Sequence, residues 1–387
     1  MKAKSSRRDF LSAGVALPLA GLGTGWQQAE RPRSKQQPDP SSGLSFRILG
    51  KTRMRVTTVG FGCMITSDPS VIERAADIGI NYFDTARGYQ GGNNERMVGA
   101  ALKRKRNELF LSTKSGAGTK EGALRDLDTS LRELGTDHVD IWYLHGKDAL
   151  SEVPDELFEA QQIAKQQGKI RFAGLSTHEP RLLIPFLIEK RATDVVLVTY
   201  NFTMDKSMDA AIEQATNAGM GVVGMKVMAG GFRKTKPSDP LYGKLKSEGT
   251  MLAALKWVIK NHRVSTTIPS MTDMEQLDEN LRAMKESFAG GDEKLLARQL
   301  DFITPLYCRM CGECKGTCAK GLPVASILRH VTYAEGYGQF ALGREEFLKL
   351  GSEVASVRCG DCAECTVRCP YGVRVASRLG RAQELFA

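Results

Sequence analysis

The chain has 387 residues, of which 42% are hydrophobic, and a formal net charge of +10. This length suits one domain of about 250 residues with a smaller appendage. No basic block is interleaved with aromatic residues, so the composition argues against a nucleic-acid partner.

The N-terminus has the pattern of an export signal. An arginine pair at residues 7–8 precedes Phe-Leu and an apolar stretch rich in Gly and Ala, residues 13–22. This pattern is typical of a twin-arginine signal, to which we assign residues 1–30. The apolar stretch is shorter than the roughly 20 residues that span a bilayer, so we expect no integral membrane segment. The sequence therefore predicts a periplasmic or otherwise exported protein that uses the twin-arginine route.

A polar segment rich in Gln, Pro and Ser follows at residues 31–45 and is typical of a linker. Beyond it, short β-branched runs alternate with amphipathic helical patterns. The candidate strands are residues 56–63, 82–84, 109–114, 139–145, 170–176, 195–199, 222–225 and 266–268. The helical patterns include residues 71–76, 122–134, 155–167, 181–190, 209–218 and 251–260. Eight strand–helix repeats indicate an α/β fold, a parallel (β/α)8 TIM barrel, at residues 46–290. An open doubly wound sheet is less favoured because residues 60–64 lack the third glycine and the helix of a phosphate loop.

Polar side chains stand where consecutive predicted strands end. Asp84, Lys114 and His145 close the second, third and fourth strands, and Tyr89 follows in the loop after Asp84. Each of them alone could be a helix cap, a solvated cation, a core histidine or a packing tyrosine. Together, at the catalytic end of a barrel, they predict an active site.

Eight of the nine cysteines repeat one spacing twice near the C-terminus. The two runs are Cys308-x2-Cys311-x2-Cys314-x3-Cys318 and Cys359-x2-Cys362-x2-Cys365-x3-Cys369. In such runs three thiolates ligate one cubane and the fourth ligates the other. One predicted [4Fe–4S] cluster therefore has the ligands Cys308, Cys311, Cys314 and Cys369. The second has the ligands Cys359, Cys362, Cys365 and Cys318.

Zinc and disulfides explain these cysteines less well. Zinc knuckles use cysteine pairs separated by a longer loop, and two identical four-cysteine runs are a poor spacing for crosslinks. Pro370 follows the second run as expected, whereas Ala319 follows the first. Helical patterns at residues 322–330 and 341–350 favour a small, mainly helical ferredoxin-like domain at residues 291–387. Its clusters would relay electrons or, alternatively, would only stabilise the fold of the C-terminal region.

The chain resembles the aldo/keto reductases over residues 46–288. The similarity is carried by residues 60–62, 83–89, 94–96, 99, 112–114, 140–145, 174–176, 200–201, 268–270 and 279–280. The resemblance implies that Tyr89 is the general acid that protonates a carbonyl oxygen. It also implies that Lys114 stabilises the phenolate, that Asp84 holds Lys114, and that His145 orients the carbonyl.

The resemblance also implies a nicotinamide cofactor. Ser176 would hold its carboxamide, Lys226 would lie beside the ring, and Gln276 and Asn280 would contact adenosine. Ser270 and Gln276 occupy the positions where family members place cations that bind a 2′-phosphate. We therefore expect NAD rather than NADP. Three departures leave a differently held nicotinamide as the alternative: Thr177 and Leu197 in place of a carboxamide-binding Asn and Gln, and Met225 in place of the ring-stacking aromatic.

The ninth cysteine, Cys63, lies at the predicted first strand end, where a lone thiol is more often packing than reactive.

Taken together, the sequence predicts an exported oxidoreductase that interconverts a carbonyl and an alcohol on a small substrate such as a sugar or aldehyde. Two [4Fe–4S] clusters would pass its electrons to or from an external carrier. Alternatives are an electron-transfer protein with a barrel scaffold and a binding protein that has lost its nicotinamide.

Overall fold

The computed structural model describes residues 43–231 and 249–386. The predicted signal and most of the predicted linker lie outside these residues. Within them, no helix is long and apolar enough to cross a membrane.

Eight parallel strands form the centre of the fold. Two further strands pair with each other before it. The ten strands are β1 (Phe46–Ile48), β2 (Arg55–Thr57), β3 (Phe61–Gly62), β4 (Tyr82–Asp84), β5 (Phe110–Ser115), β6 (Val139–Leu144), β7 (Ile170–Thr177), β8 (Val195–Thr199), β9 (Gly221–Met225) and β10 (Thr266–Thr267). The sheet runs in chain order from β3 to β10. Parallel bridges from Val59 to Thr267 and from Gly62 to Ser270 join its two ends. The predicted (β/α)8 barrel is confirmed.

The first predicted strand, residues 56–63, is wrong as a single strand. Its first part is β2, which pairs antiparallel with β1 to form a hairpin, and only its last part, β3, enters the barrel. The turn of the hairpin lies against the start of β9, where a side chain at Gly50 would come within 2.3 Å of the Gly221 nitrogen. The hairpin therefore covers the N-terminal end of the barrel and leaves the C-terminal end for the site.

Helices surround the barrel. They are α1 (Pro69–Ile78), α2 (Asn93–Leu102), α3 (Lys120–Leu134), α4 (Asp155–Gln166), α5 (Pro180–Lys190), α6 (Lys206–Asn217), α7 (Thr250–Lys260), α8 (Met274–Arg282) and α9 (Gly290–Ile303). Asp68, Thr119, Asp205 and Asp273 cap four of them by accepting a hydrogen bond from a backbone N–H of the first turn. Such a cap contributes about 1 kcal/mol. The apolar faces of the helices and the outer faces of the strands share the main core.

The C-terminal region is helical, as predicted. It contains α10 (Val324–Glu335), α11 (Phe340–Leu348), α12 (Ser352–Ser356) and α13 (Val375–Phe386). These helices enclose a second core that includes Val331, Phe347 and Phe386. Hydrogen bonds tie this region to the barrel: Asn201 donates to the Tyr307 hydroxyl at 3.1 Å, and Arg181 donates to the Cys311 carbonyl at 2.5 Å.

Candidate active site

A cavity of about 870 Å³ lies at the C-terminal ends of the barrel strands. All four residues that the sequence predicts as catalytic line it: Asp84, Tyr89, Lys114 and His145. The parallel register sets their positions, because β4 and β5 align Asp84 with Ser112, two residues before Lys114. Strand ends that meet at one edge bring together side chains that are far apart in the sequence.

Lys114 is bound at all three of its N–H donors. Its Nζ lies 2.5 Å from Asp84 Oδ2, 2.8 Å from the Thr85 carbonyl oxygen and 3.3 Å from the Tyr89 hydroxyl. A lysine ammonium has three donors and no acceptor, so Tyr89 receives this bond through its oxygen. The phenolic hydrogen of Tyr89 is therefore not committed to Lys114 and can be donated into the cavity.

Asp84 and Lys114 form a buried ion pair. Their side chains are only 2% and 1% exposed, and Asp84 Oδ1 accepts a further hydrogen bond from the Ser112 hydroxyl at 2.7 Å. Burial raises the pKa of Asp84 and lowers the pKa of Lys114, while the charge of each partner opposes the shift of the other. The pair stays ionised only because both charges are present.

Tyr89 begins a short 3-10 turn, Tyr89–Gly92, after β4. Burial raises the pKa of its phenol well above the ordinary value, and the charge of Asp84 adds to the rise. The resemblance implied that Lys114 would stabilise the phenolate. In this geometry the Asp84 carboxylate opposes that effect, and Tyr89 is protonated at neutral pH. This form can donate a proton.

His145 follows β6, and its ring stands edge-on to Tyr89 with 5.6 Å between the ring centroids. Burial lowers the pKa of His145 well below its ordinary value, and the neighbouring cations, Lys114 first, add to the lowering. A neutral imidazole keeps one N–H donor. His145 and Tyr89 can therefore both donate to one oxygen atom in the cavity.

The five residues predicted to contact a nucleotide also line this cavity: Ser176, Lys226, Ser270, Gln276 and Asn280. Ser176 Oγ accepts a hydrogen bond from the Gly146 nitrogen at 2.8 Å. The Gln276 side-chain amide donates to Thr272 and Asp273, both at 2.8 Å. Met225 and Leu197, two of the departures from the family pattern, line the same space.

One wall of the cavity comes from the C-terminal region, which sequence reasoning did not predict. It contains Arg329, Tyr333, Tyr337, Leu342, Glu346 and Lys349. The rings of Tyr333 and Tyr337 stack with their centroids 5.7 Å apart. Tyr333 lies in the last turn of α10 and Tyr337 just after its end, and no local signal in the sequence indicates that these rings meet the barrel.

A charged network at the same mouth was also missed. Asp148 Oδ2 lies 2.9 Å from His178 Nδ1 and 3.4 Å from Arg329 Nη1. Burial lowers the pKa of His178 to about 4, against the opposing charge of Asp148. His178 follows the end of β7, so the strand-end pattern that indicated His145 was also present here.

The two cysteine runs meet at one backbone bridge. Lys315 and Arg368 exchange two backbone hydrogen bonds of 2.9 Å in an antiparallel bridge. This bridge brings Cys314 and Cys369, the neighbours of its two residues, to the same place. Burial raises the pKa of Cys308 to about 12, and the nearby thiolates of Cys314, Cys311 and Cys369 add to the rise.

The second set behaves in the same way. Burial raises the pKa of Cys359, and the charges of Cys365, Cys362 and Cys318 add to it. Within the described residues, no three His, Cys, Asp or Glu side chains are grouped closely enough for a single metal ion. Cys63, by contrast, is fully buried in the barrel core, and burial raises its pKa. This environment disfavours a reactive thiolate.

Comparison with known proteins agrees with this geometry. Residues 67–294 match the aldo/keto reductase family. L-galactose dehydrogenase of Arabidopsis thaliana is 27% identical over 306 residues, covering 68% of this chain and 95% of that protein. L-glyceraldehyde 3-phosphate reductase of Escherichia coli K12 is 26% identical over 316 residues, covering 64% of this chain and 89% of that protein.

Among solved structures, an aldo-keto reductase of Bacillus halodurans in its holo form superposes with a TM-score of 0.57. It is 26% identical and covers 65% of this chain and 96% of that structure. The chain therefore belongs to the aldo/keto reductase family and is an oxidoreductase. The family match ends before the first cysteine of the C-terminal runs.

Proposed function

We propose that this protein interconverts a carbonyl and an alcohol on a small substrate, with Asp84, Tyr89, Lys114 and His145 as its catalytic set. The observation that carries the proposal is the complete use of the Lys114 donors. Because Lys114 donates to Asp84, Thr85 and the Tyr89 oxygen, the Tyr89 hydrogen remains available to the cavity.

In the reducing direction, the substrate oxygen accepts hydrogen bonds from His145 and Tyr89. As negative charge develops on that oxygen, Tyr89 transfers its proton, and Lys114 stabilises the resulting phenolate through the bond it already makes. Asp84 keeps Lys114 in position. In the oxidising direction, the Tyr89 oxygen takes the proton back.

The residues of the cavity fit a nicotinamide nucleotide, which supplies or accepts the hydride when bound. Leu197 and Met225 offer an apolar surface beside Ser176. Ser270, Gln276 and Asn280 offer polar but uncharged contacts, and the nearby acids are Asp273 and Glu279. A 2′-phosphate requires Arg or Lys to offset its charge, and residues 270–280, which contain these contacts, include neither. This favours NAD.

The two sets of four cysteines fit two [4Fe–4S] clusters, which supply one-electron transfer when bound. The antiparallel bridge at Lys315 and Arg368 supports the exchange of the fourth ligand between the runs. The spacing within each run, with three cysteines at every third residue, favours a cubane over zinc, because zinc knuckles use cysteine pairs separated by a longer loop.

In this proposal the set that contains Cys308 would exchange electrons with the cavity. Tyr307 is buried next to Cys308 in the chain, and burial raises its pKa, with charges on Cys308 and Tyr333 contributing. Tyr333 lines the cavity. Oxidation of one alcohol releases two electrons and two protons, and two electrons match the capacity of two one-electron clusters. An external carrier would then exchange electrons with the Cys359 set.

Export by the twin-arginine route is consistent with such a protein, because this route carries folded cargo with its cofactors in place. The arginine pair at residues 7–8 is its basis, and it lies outside the described residues. A reductase working outside the cytoplasm would keep its nucleotide bound, and its clusters would return the nucleotide to its starting oxidation state after each turnover.

The experiment is to purify the mature protein from the periplasm under anaerobic conditions and to follow the optical and EPR spectra of its clusters. We expect an alcohol substrate, such as a neutral sugar, to reduce the clusters without added nucleotide. Turnover that appears only with added NADPH would overturn the relay and the cofactor preference together. Clusters that are redox-active while no alcohol or aldehyde reacts would favour the barrel as an electron-transfer scaffold.

A further inference from the structure

The segment that follows β9 directs a lysine into the cavity. Lys226 has a backbone φ of 55°, a left-handed conformation that a residue with a side chain rarely adopts. Its side chain lines the cavity. Backbone conformations of this kind cluster at active sites and ligand clamps.

Lys226 meets Tyr333 of α10 in the same arrangement in which Lys114 meets Tyr89. In both pairs the ammonium donates to the phenol oxygen at 3.3 Å and lies 4.9 Å from the centre of the phenol ring. Tyr333 therefore also retains its own hydrogen as a donor. The cavity thus contains two lysine–tyrosine pairs, of which the catalytic set uses one.

The two lysines differ in their acidic partners. Other cations of the cavity are paired: Lys114 with Asp84, Arg87 with Glu95, Arg329 with Asp148, and Lys349 with Glu345 and Glu346. In the part of the chain that the structure describes, Lys226 has no carboxylate within ion-pair distance. Burial acts to lower the pKa of Lys226, but the phenols of Tyr333 and Tyr337 outweigh it, so the ammonium remains charged.

The position of this pair is fixed by close backbone contact between the barrel and the C-terminal region. A side chain at Gly336 would come within 2.1 Å of the Gly230 carbonyl oxygen. Gly231, with a φ of 63°, lies beside the ring of Tyr337 in the same way, 3.5 Å from the position of an added Cβ. The lysine and the tyrosine are thus held together before any ligand arrives.

We propose that Lys226 and Tyr333 form an anion-binding subsite, shared by the barrel and the C-terminal region, for a phosphate or carboxylate group. A half-buried ammonium without a carboxylate partner and a phenol with a free hydrogen are complementary to such a group. The subsite deepens the proposed function and rests on it, since its ligand would be either the phosphates of the bound nucleotide or an acidic group of the substrate.

The test is calorimetric titration of the anaerobically prepared full chain, with no turnover. The nucleotide probe is NAD⁺, and the substrate probes are galacturonate and its neutral counterpart, galactose. We expect Lys226→Met to weaken binding of an anionic probe about 10- to 100-fold, as for loss of a hydrogen bond to a charged group. Tyr333→Phe, which preserves shape and folding, should weaken the same probe about 3- to 10-fold.

Lys260→Met removes one charge from an exposed residue that does not line the cavity and is the matched control, for which we expect less than a twofold change. A loss confined to NAD⁺ identifies the nucleotide phosphates as the ligand, and a lost preference for galacturonate over galactose identifies an acidic substrate. The subsite is overturned if all affinities stay within twofold of the parent protein or if neither anionic probe binds at millimolar concentration. Because only binding is measured, this failure is distinguishable from a failure of the carbonyl chemistry.

Discussion

Asp84 and Lys114 make the most buried ion pair of the catalytic set, with 2.5 Å between the carboxylate and the ammonium. Neither charge reaches water, and each shifts the pKa of the other back toward the ionised state. The pair consequently serves to position Tyr89 and contributes little to the free energy of unfolding.

Removing one member should cost more stability than removing both. Lys114→Met leaves an uncompensated buried carboxylate, and we expect the free energy of unfolding to fall by about 3–5 kcal/mol. The double variant Asp84→Asn, Lys114→Met should regain a large part of this loss and yet remain inactive. Urea unfolding of these two variants and of Asp84→Asn alone measures the coupling free energy between Asp84 and Lys114. Equal losses in the single and the double variant would contradict the account.

Tyr89→Phe removes the proposed proton donor without changing the volume of the cavity wall. We expect carbonyl reduction to fall about 10²- to 10⁴-fold, the range typical of general acid–base groups. The dissociation constant for NAD⁺ should stay within about twofold, since no charge is removed. Steady-state kinetics and titration provide the two values. Undiminished turnover in this variant would remove Tyr89 from the mechanism.

The preference for NAD should change if a cation is supplied at the adenosine end. Gln276→Arg introduces the guanidinium that a 2′-phosphate requires, and we expect affinity for NADP⁺ to rise about tenfold relative to NAD⁺. Gln276→Leu is the control, because it removes the amide without adding charge. Competition titrations give the ratio. An unchanged ratio in the arginine variant would show that Gln276 is distant from the ribose.

The cysteine assignment predicts iron in a fixed proportion. Anaerobic protein should contain about eight irons and eight sulfides. Cys369→Ser and Cys308→Ser should perturb the same cluster signal by EPR, and Cys318→Ser should perturb the other. Cys63→Ala should leave iron unchanged, because Cys63 lies in the barrel core. Zinc without acid-labile sulfide would be incompatible with the assignment.

Buried His330 should make the fold acid-sensitive. It is 2% exposed, and burial lowers its pKa to about 3, with the charge of Arg329 contributing. The unfolded chain binds a proton near pH 6.5 and the folded chain does not, so stability falls as pH drops from about 6.5 toward 3. His330→Phe should reduce the dependence of the unfolding free energy on pH by up to about 1.4 kcal/mol per pH unit. Exposed His262→Gln is the control for denaturation midpoints measured across this range, and equal slopes in both variants would contradict the prediction.

Most of the barrel could be predicted because its strands are short β-branched runs between polar turns. Seven of the eight predicted strands overlap β4 to β10 with shifts of one residue or none at their ends. The first differed because residues 56–63 form one uninterrupted run of mainly apolar and β-branched residues, and only the antiparallel pairing with β1 separates its first part from β3. Pairing between distant residues is not recorded in a local pattern.

The part of the candidate site that lies at the strand ends could be predicted from the sequence. The part that depends on how the C-terminal region packs against the barrel could not. Asp84 and Lys114 lie at the ends of β4 and β5, and His145 directly follows β6, so their convergence is set by the barrel itself. Tyr333 reaches the cavity only because α10 packs over the C-terminal end of the barrel. Asp84 raises the pKa of Tyr89, whereas Lys114 alone would be expected to lower it. This opposing effect could be found only from the distances in the structure.

The close approach of Gly336 to Gly230 limits how this protein can be recombined. There is no space for even a methyl group between these two residues. The end of α10 can therefore pack against the loop after β9 in one position only. A C-terminal region grafted from another reductase would therefore need a glycine at the equivalent point, and its new host would need the matching loop after β9. Chimeras that exchange the loop and the helix end together are expected to retain the cavity wall, whereas those cut between the two would leave it open to solvent.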